Sequence, residues 1–97
     1  MKYKLLGRSG LRISELCLGA MTFGDENGTG ASKAVARQIY DLYRDKGGNF
    51  IDTANIYTGG SSEIQLAEFL ATERSEIVLA SKFSMTTNMD DPNAAGN

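Results

Sequence analysis

Three short apolar runs that do not alternate set the limits on what this chain can fold into: Leu16-Cys17-Leu18-Gly19-Ala20, Phe50-Ile51-Asp52-Thr53-Ala54 and Ile77-Val78-Leu79-Ala80. A strand with one wet face alternates, whereas a strand covered on both faces reads as a continuous apolar run. Between the first two runs, a polar glycine-rich loop over 24–31 leads to Ser32, which can cap a helix with Val35, Ile39, Leu42 and Tyr43 at i, i+4, i+7 and i+8. Gly47-Gly48 ends it. Between the second and third runs, Thr58-Gly59-Gly60 leads to Ser62-Glu63-Ile64-Gln65, which has the form of a capping box, and Leu66, Phe69 and Leu70 supply a second helical stripe.

The order strand, helix, strand, helix, strand, with connections too long for hairpins, predicts an α/β fold built on a parallel sheet with right-handed crossovers. Both a small doubly wound sheet and the opening of an eight-stranded barrel satisfy it. Ahead of the sheet, residues 1–15 alternate around Gly7-Arg8-Ser9-Gly10 and suit a short antiparallel hairpin, a lid or plug for the sheet. Residues 16–83 hold the strand-helix units. From 84 to 97 the chain turns small and polar, contains the only proline, Pro92, and reads as a loop.

Composition removes several classes of function. Ten Lys and Arg against twelve Asp and Glu leave a net charge of −2 over 97 residues, with no basic run, which argues against a nucleic-acid partner. No apolar run approaches the ~20 residues of a bilayer span, and Lys2 and Lys4 lead into no signal core, so the chain is expected in the cytoplasm, away from membranes. One cysteine and no histidine provide neither an internal disulfide nor the usual zinc ligands, so no metal site is expected. Cys17, inside an apolar run, reads as a small buried hydrophobe.

The ends of the second and third runs turn polar where a purely structural strand would stay apolar. Asp52 and Lys82 both fall at the C-terminal edge, the edge on which parallel α/β proteins build their sites, and Tyr57 comes in the next loop, over the same rim. A phenol has a reference pKa of ~10 and needs a nearby cation to favour its ionised form if it is to donate a proton near neutrality. Lys82 can be that cation, with Asp52 holding the ammonium in place and Tyr57 acting as the acid. Each residue alone has a plainer explanation: an Asp at a turn, a Lys reaching solvent, a packed Tyr. Neither glycine loop has the G-x-G-x-x-G or Walker spacing that cradles phosphate.

Taken together, several segments resemble the N-terminal third of an aldo-keto reductase. They are Leu6-Gly7-Arg8-Ser9-Gly10-Leu11, the stretch Leu16 to Gly24, Gly48 to Tyr57 with its Asp-Thr-Ala-x-x-Tyr pattern, Gly60 with Ser62-Glu63, and Val78 to Phe83 with Lys82. The resemblance implies the opening of a TIM-type (β/α)8 barrel that binds NADP(H) across its C-terminal face without a Rossmann motif. It implies Tyr57 as general acid, Lys82 as its cation and Asp52 as the lysine's partner. Gly19, Ala20 and Met21, with Asp52 and Tyr57, would lie beside the nicotinamide and its ribose. The implied reaction is hydride transfer to a small aldehyde or ketone.

A barrel of this type takes ~250 residues, and this chain provides three strand-helix units of the eight. The family's histidine after the fourth strand and its pyrophosphate-gripping segments lie outside these residues. The 97 residues alone are therefore expected to be inactive, with self-association or a complementing chain at the open sheet edges. An interaction or regulatory subunit of the same fold is the alternative.

Overall fold

The computed structural model describes residues 1–96. Strands β1 (Tyr3–Leu5) and β2 (Arg12–Ser14) form an antiparallel hairpin, with Tyr3 opposite Ser14 and Leu5 opposite Arg12. Strands β3 (Leu18–Gly19), β4 (Phe50–Asp52) and β5 (Val78–Ala80) form a parallel sheet in that spatial order, joined by helices α1 (Lys33–Asp45) and α2 (Ser61–Leu70). Leu18 pairs with Ile51 and Ile51 with Leu79, while Gly19, Asp52 and Ala80 share the next level. That register brings the three strands to an end at one rim.

The core lies between the helices and one face of the sheet: Ala20, Phe23, Ala36, Tyr40, Ile51, Leu66, Phe69, Leu70 and Ile77 are buried together. The other face has no covering layer among the described residues. For that reason the first apolar run departs from its expected burial: only Leu18–Gly19 pairs as strand, Leu16 is 64% exposed, and Cys17 is exposed rather than a buried hydrophobe.

Helix α1 starts as expected, with the Ser32 side chain accepting from Val35 N, and closes before Gly47 at φ 88°. Its packed face keeps only Tyr43 of the expected stripe. Ala36 and Tyr40 are buried and Tyr43 is partly buried, while Val35 and Leu42 remain 45% and 61% exposed. The two tyrosines decide the orientation because each buries a ring and still finds a partner for its hydroxyl. Tyr40 donates to Glu73, and the Tyr43 hydroxyl lies 2.8 Å from Ser14 Oγ and 2.7 Å from Phe50 O. Ile39, Val35 and Leu42 offer no such anchor.

The hairpin docks where β4 begins. Ser14 N donates to Asn49 Oδ1 at 2.7 Å, Asn49 Nδ2 donates to Arg12 O at 3.1 Å, and the Tyr3 hydroxyl donates to Gly47 O at 2.6 Å. It therefore plugs the N-terminal end of the sheet and leaves the opposite rim open.

An ionic cluster closes the same N-terminal side. Arg44 donates to Gly48 O at 2.6 Å and, at 2.9 Å each, to Glu73 and Glu76, and it is largely shielded from solvent. The Arg44 guanidinium first, and the Tyr40 hydroxyl next, hold the Glu73 carboxyl below its ordinary value of 4.5. A carboxylate lowered in the folded state adds stability above its unfolded pKa and loses it as pH falls through the folded one. Glu73→Gln is expected to cost about 1–2 kcal/mol of folding stability at pH 7. That difference should shrink as pH drops below the ordinary glutamate range. Denaturant midpoints of parent and variant across acid pH check both the size and the slope.

Candidate active site

Asp52 is the last residue of β4, and Lys82 lies two residues beyond β5. Because the parallel register sets Asp52 against Ala80, the chain after β5 rises beside the chain after β4. Thr53 N donates to Ala80 O at 2.8 Å and Asn55 N to Lys82 O at 3.2 Å, so the two exits remain zipped past the strands proper. Lys82 then folds back over this zipper. Its Nζ donates to Asp52 Oδ2 at 2.7 Å and to Thr53 O at 2.9 Å, and lies 4.9 Å from the centroid of the Tyr57 ring. The three residues singled out from the sequence, Asp52, Tyr57 and Lys82, stand together on one rim.

The electrostatics arise from these contacts. The Asp52 carboxylate first, and the Tyr57 hydroxyl second, hold the Lys82 ammonium above the ordinary lysine range. A cation over an aromatic face is itself attracted to the ring. The Asp52 and Lys82 side chains are 40% and 49% exposed, so solvent screens the pair and it contributes little to folding stability. The pair fixes where a charge stands.

Tyr57 reaches its place through a tight turn rather than a regular loop. Tyr57 N donates to Ala54 O at 3.3 Å and Gly59 N to Ile56 O at 3.1 Å, and the 3-10 segment Tyr57–Gly60 swings into α2 with Gly59 and Gly60 at φ 61° and 100°. Positive φ of this kind is what glycine permits at no steric cost. Beside Tyr57 and Lys82 a mostly apolar cleft of about 370 Å³ opens, walled by Ala54, Ile56 and Met85.

Beneath the rim, Ser62 is fully buried. It is not the cap of α2, whose first residue is Ser61 and whose N-cap is Gly60. Instead Ser62 Oγ donates to Ala20 O at 2.8 Å and lies 2.8 Å from Thr53 Oγ1. Having one proton, already given to Ala20, it accepts the proton of Thr53. Helix α2 is thus pinned to the ends of β3 and β4 by one hydroxyl. Ser62→Ala leaves a buried Thr53 donor without a partner, and is expected to destabilise the fold by about 1–3 kcal/mol. Urea unfolding checks it, and a change below about 0.5 kcal/mol would remove Ser62 from this role.

Of the residues at the end of the first strand, Gly19 and Met21 are exposed, and a Cβ added at Gly19 would meet nothing within 4 Å. Ala20 between them is fully buried. Its N donates to Asp52 O at 2.9 Å and its O accepts from Phe23 N and Ser62 Oγ, so it belongs to the framework under the rim and has no free polar atom to offer a ligand. Cys17, though exposed, lies near the same groups: the desolvation of its thiol by neighbouring atoms first, and the Asp52 charge next, push the thiol up.

Asn55 is a contributor that the sequence patterns do not single out. Its Nδ2 donates to Met85 O at 2.9 Å and so fastens the wall of the cleft to the turn that carries Tyr57. Its position inside the Asp-Thr-Ala-x-x-Tyr segment is the one signal that points to it.

Known proteins give this geometry a context. The model of the aldo/keto reductase family matches residues 15–97. An aryl-alcohol dehydrogenase of Pestalotiopsis microspora is 41% identical over 97 residues, spanning 94% of this chain and 25% of that protein. Norsolorinic acid reductase B of Aspergillus parasiticus is 49% identical over 79 residues, spanning 76% of this chain and 21% of that protein. The chain therefore covers about a quarter of the length of these curated relatives. Among solved structures, an aldo-keto reductase of Bacillus halodurans in its holo form superposes with a TM-score of 0.80 at 31% identity, over 99% of this chain and 30% of that one. The open three-stranded sheet is the beginning of the (β/α)8 barrel of such proteins. A match over nearly the whole chain, in sequence and in the path of the backbone alike, makes this chain a member of the aldo/keto reductase family.

Proposed function

We propose that this chain carries the proton-donating part of an NADP(H)-dependent carbonyl reductase, with Tyr57 as the general acid. The observation that carries the reading is the Lys82 ammonium, 2.7 Å from Asp52 Oδ2 and 4.9 Å from the Tyr57 ring centroid. Proton donation leaves a phenolate, and a fixed cation beside it stabilises the negative charge that develops as the proton departs. Asp52 keeps the ammonium from swinging into solvent.

The rim is suited to the flat amide-bearing end of a nicotinamide. Gly19 presents open backbone level with Asp52, Met21 presents an exposed apolar side chain, and Tyr57 stands beside Lys82, the partner of Asp52. Bound NADPH would supply the hydride for the carbonyl carbon. Tyr57 gives its proton to the carbonyl oxygen, and the apolar wall of Ala54, Ile56 and Met85 takes the carbon substituent of an aldehyde or ketone and keeps water from it. The names of the relatives, aryl-alcohol dehydrogenase and norsolorinic acid reductase, are in keeping with carbonyl-alcohol interconversion on such a wall.

Titration of the full-length protein with NADPH and NADH, and then with a panel of aromatic and aliphatic aldehydes, tests the reading. Saturable NADPH binding and carbonyl-dependent NADPH consumption are expected. A protein that binds neither nucleotide, or binds without reducing any carbonyl, would overturn it. The 97 residues by themselves are expected to consume none, because the described residues supply three parallel strands of the eight such a barrel has.

A further inference from the structure

Thr58 is the only residue other than glycine with a positive φ among the described residues, at φ 49° and ψ 49°. A β-branched side chain in the left-handed region crowds its own backbone. Such a conformation persists only where its surroundings over-determine it. The surroundings here are the loop between β3 and α1. A Cβ on Gly24 would lie 2.6 Å from Thr58 Cγ2 and 2.9 Å from Thr58 Cβ, so the bare backbone of Gly24 leaves the space that the threonine side chain fills.

Two further contacts join the same loop to the same turn. Thr58 Oγ1 reaches toward Met21 O at 3.5 Å, and Ser61 Oγ donates to Glu26 Oε1 at 2.5 Å. The loop is firm enough to act as a brace: Gly24 N donates to Ala31 O at 2.9 Å, Ala31 N to Thr22 O at 2.7 Å, and Phe23 is buried in the core. The turn has only local bonds of its own, Tyr57 N to Ala54 O, Gly59 N to Ile56 O and the Ser61 N–H to Thr58 O and Tyr57 O, and it runs through two glycines that add no side-chain contact.

We propose that Thr58 is a positioning residue for Tyr57: by filling the gap over Gly24, its strained side chain locks the β3–α1 loop to the turn and sets the place of the phenol at the rim. The proposal rests on reading Tyr57 as the proton donor. Its shape carries the effect more than its hydroxyl, since the contact with Met21 O is long for a hydrogen bond. A proton donor misplaced by about 1 Å costs up to ~10²-fold in rate, which is the scale on which such a lock acts.

Thr58→Gly, Thr58→Val and Tyr57→Phe in the full-length protein, compared for kcat, thermal midpoint and amide exchange, test it. Glycine removes both the strain and the lock. Thr58→Gly should keep or raise the thermal midpoint, lower kcat by about tenfold, and speed amide exchange at Tyr57 and Gly59. Valine keeps the shape and loses the hydroxyl, so Thr58→Val should retain kcat within about twofold of the parent. Thr58→Gly at the parental rate, Thr58→Val as slow as Thr58→Gly, or a Thr58→Gly protein slowed only because its thermal midpoint has collapsed would each overturn the proposal. Tyr57→Phe at full rate would overturn the underlying reading, whereas a slow Tyr57→Phe beside an unimpaired Thr58→Gly defeats the Thr58 proposal alone.

Discussion

Tyr57→Phe is expected to lower carbonyl reduction by the full-length protein about 10²-fold or more, the loss typical of removing a general acid. The substitution removes one oxygen and its proton and leaves the ring that Lys82 lies over. Packing in the turn between Ala54 and Gly60 should therefore survive, and NADPH affinity should stay within about twofold of the parent, since the variant loses a group needed chiefly in the transition state. Steady-state kinetics with a separate cofactor titration distinguishes the outcomes. Unchanged turnover removes Tyr57 as the acid, and lost cofactor binding recasts it as a binding residue.

The second large effect is expected at Lys82. Lys82→Met keeps the length of the aliphatic stem and deletes the ammonium that donates to Asp52 and Thr53 O. Removing a preorganised charge from beside a developing anion typically costs about 10²–10³-fold in turnover. Stability should scarcely move, because both members of the pair are well exposed and solvent screens their attraction. A large kinetic loss with a small change in thermal midpoint is the signature sought. If instead stability falls and turnover holds, Lys82 serves the fold only.

Lys82→Arg should not restore the rate, since a planar guanidinium cannot reproduce a compact ammonium held between one carboxylate oxygen and one carbonyl. The lysine is raised by its partners, so its charge, and whatever the pair adds to the folded state, is present at neutral pH and is lost only as pH climbs beyond the ordinary lysine value of 10.5.

Local signals make the sheet legible. Leu18, Ile51 and Leu79 lie in short runs that do not alternate, Gly47-Gly48 and Gly59-Gly60 punctuate the chain after α1 and before α2, and the connections are too long for hairpins, so the order of elements points to parallel pairing. The rim is legible for the opposite reason: Asp52 and Lys82 interrupt apolar patterns just where a strand would end. Which face of α1 packs is legible only at Tyr43, because the Val35, Ile39 and Leu42 that accompany it in the expected stripe repeat at the same helical spacing as Ala36, Tyr40 and Tyr43. The choice is made by where Glu73 and Phe50 O wait for the tyrosine hydroxyls. Ser62 misleads because the spacing to Gln65 satisfies a capping box, while its true partners, Ala20 and Thr53, are set by tertiary packing. The left-handed Thr58 leaves no mark in composition, since its strain is imposed by a loop remote from it in the chain.

The most direct test of the central claim, that this rim donates a proton during hydride transfer to a carbonyl, is an isotope-tracing experiment. The full-length protein is supplied with an aromatic aldehyde and NADPH carrying deuterium at the transferring position, and the alcohol is analysed by mass and NMR. One deuterium is expected on the carbinol carbon, none acquired from solvent at that position, and the same labelling at a much lower rate in Tyr57→Phe. An alcohol whose carbinol carbon carries hydrogen from solvent, or one formed as fast by Tyr57→Phe as by the parent, would contradict it.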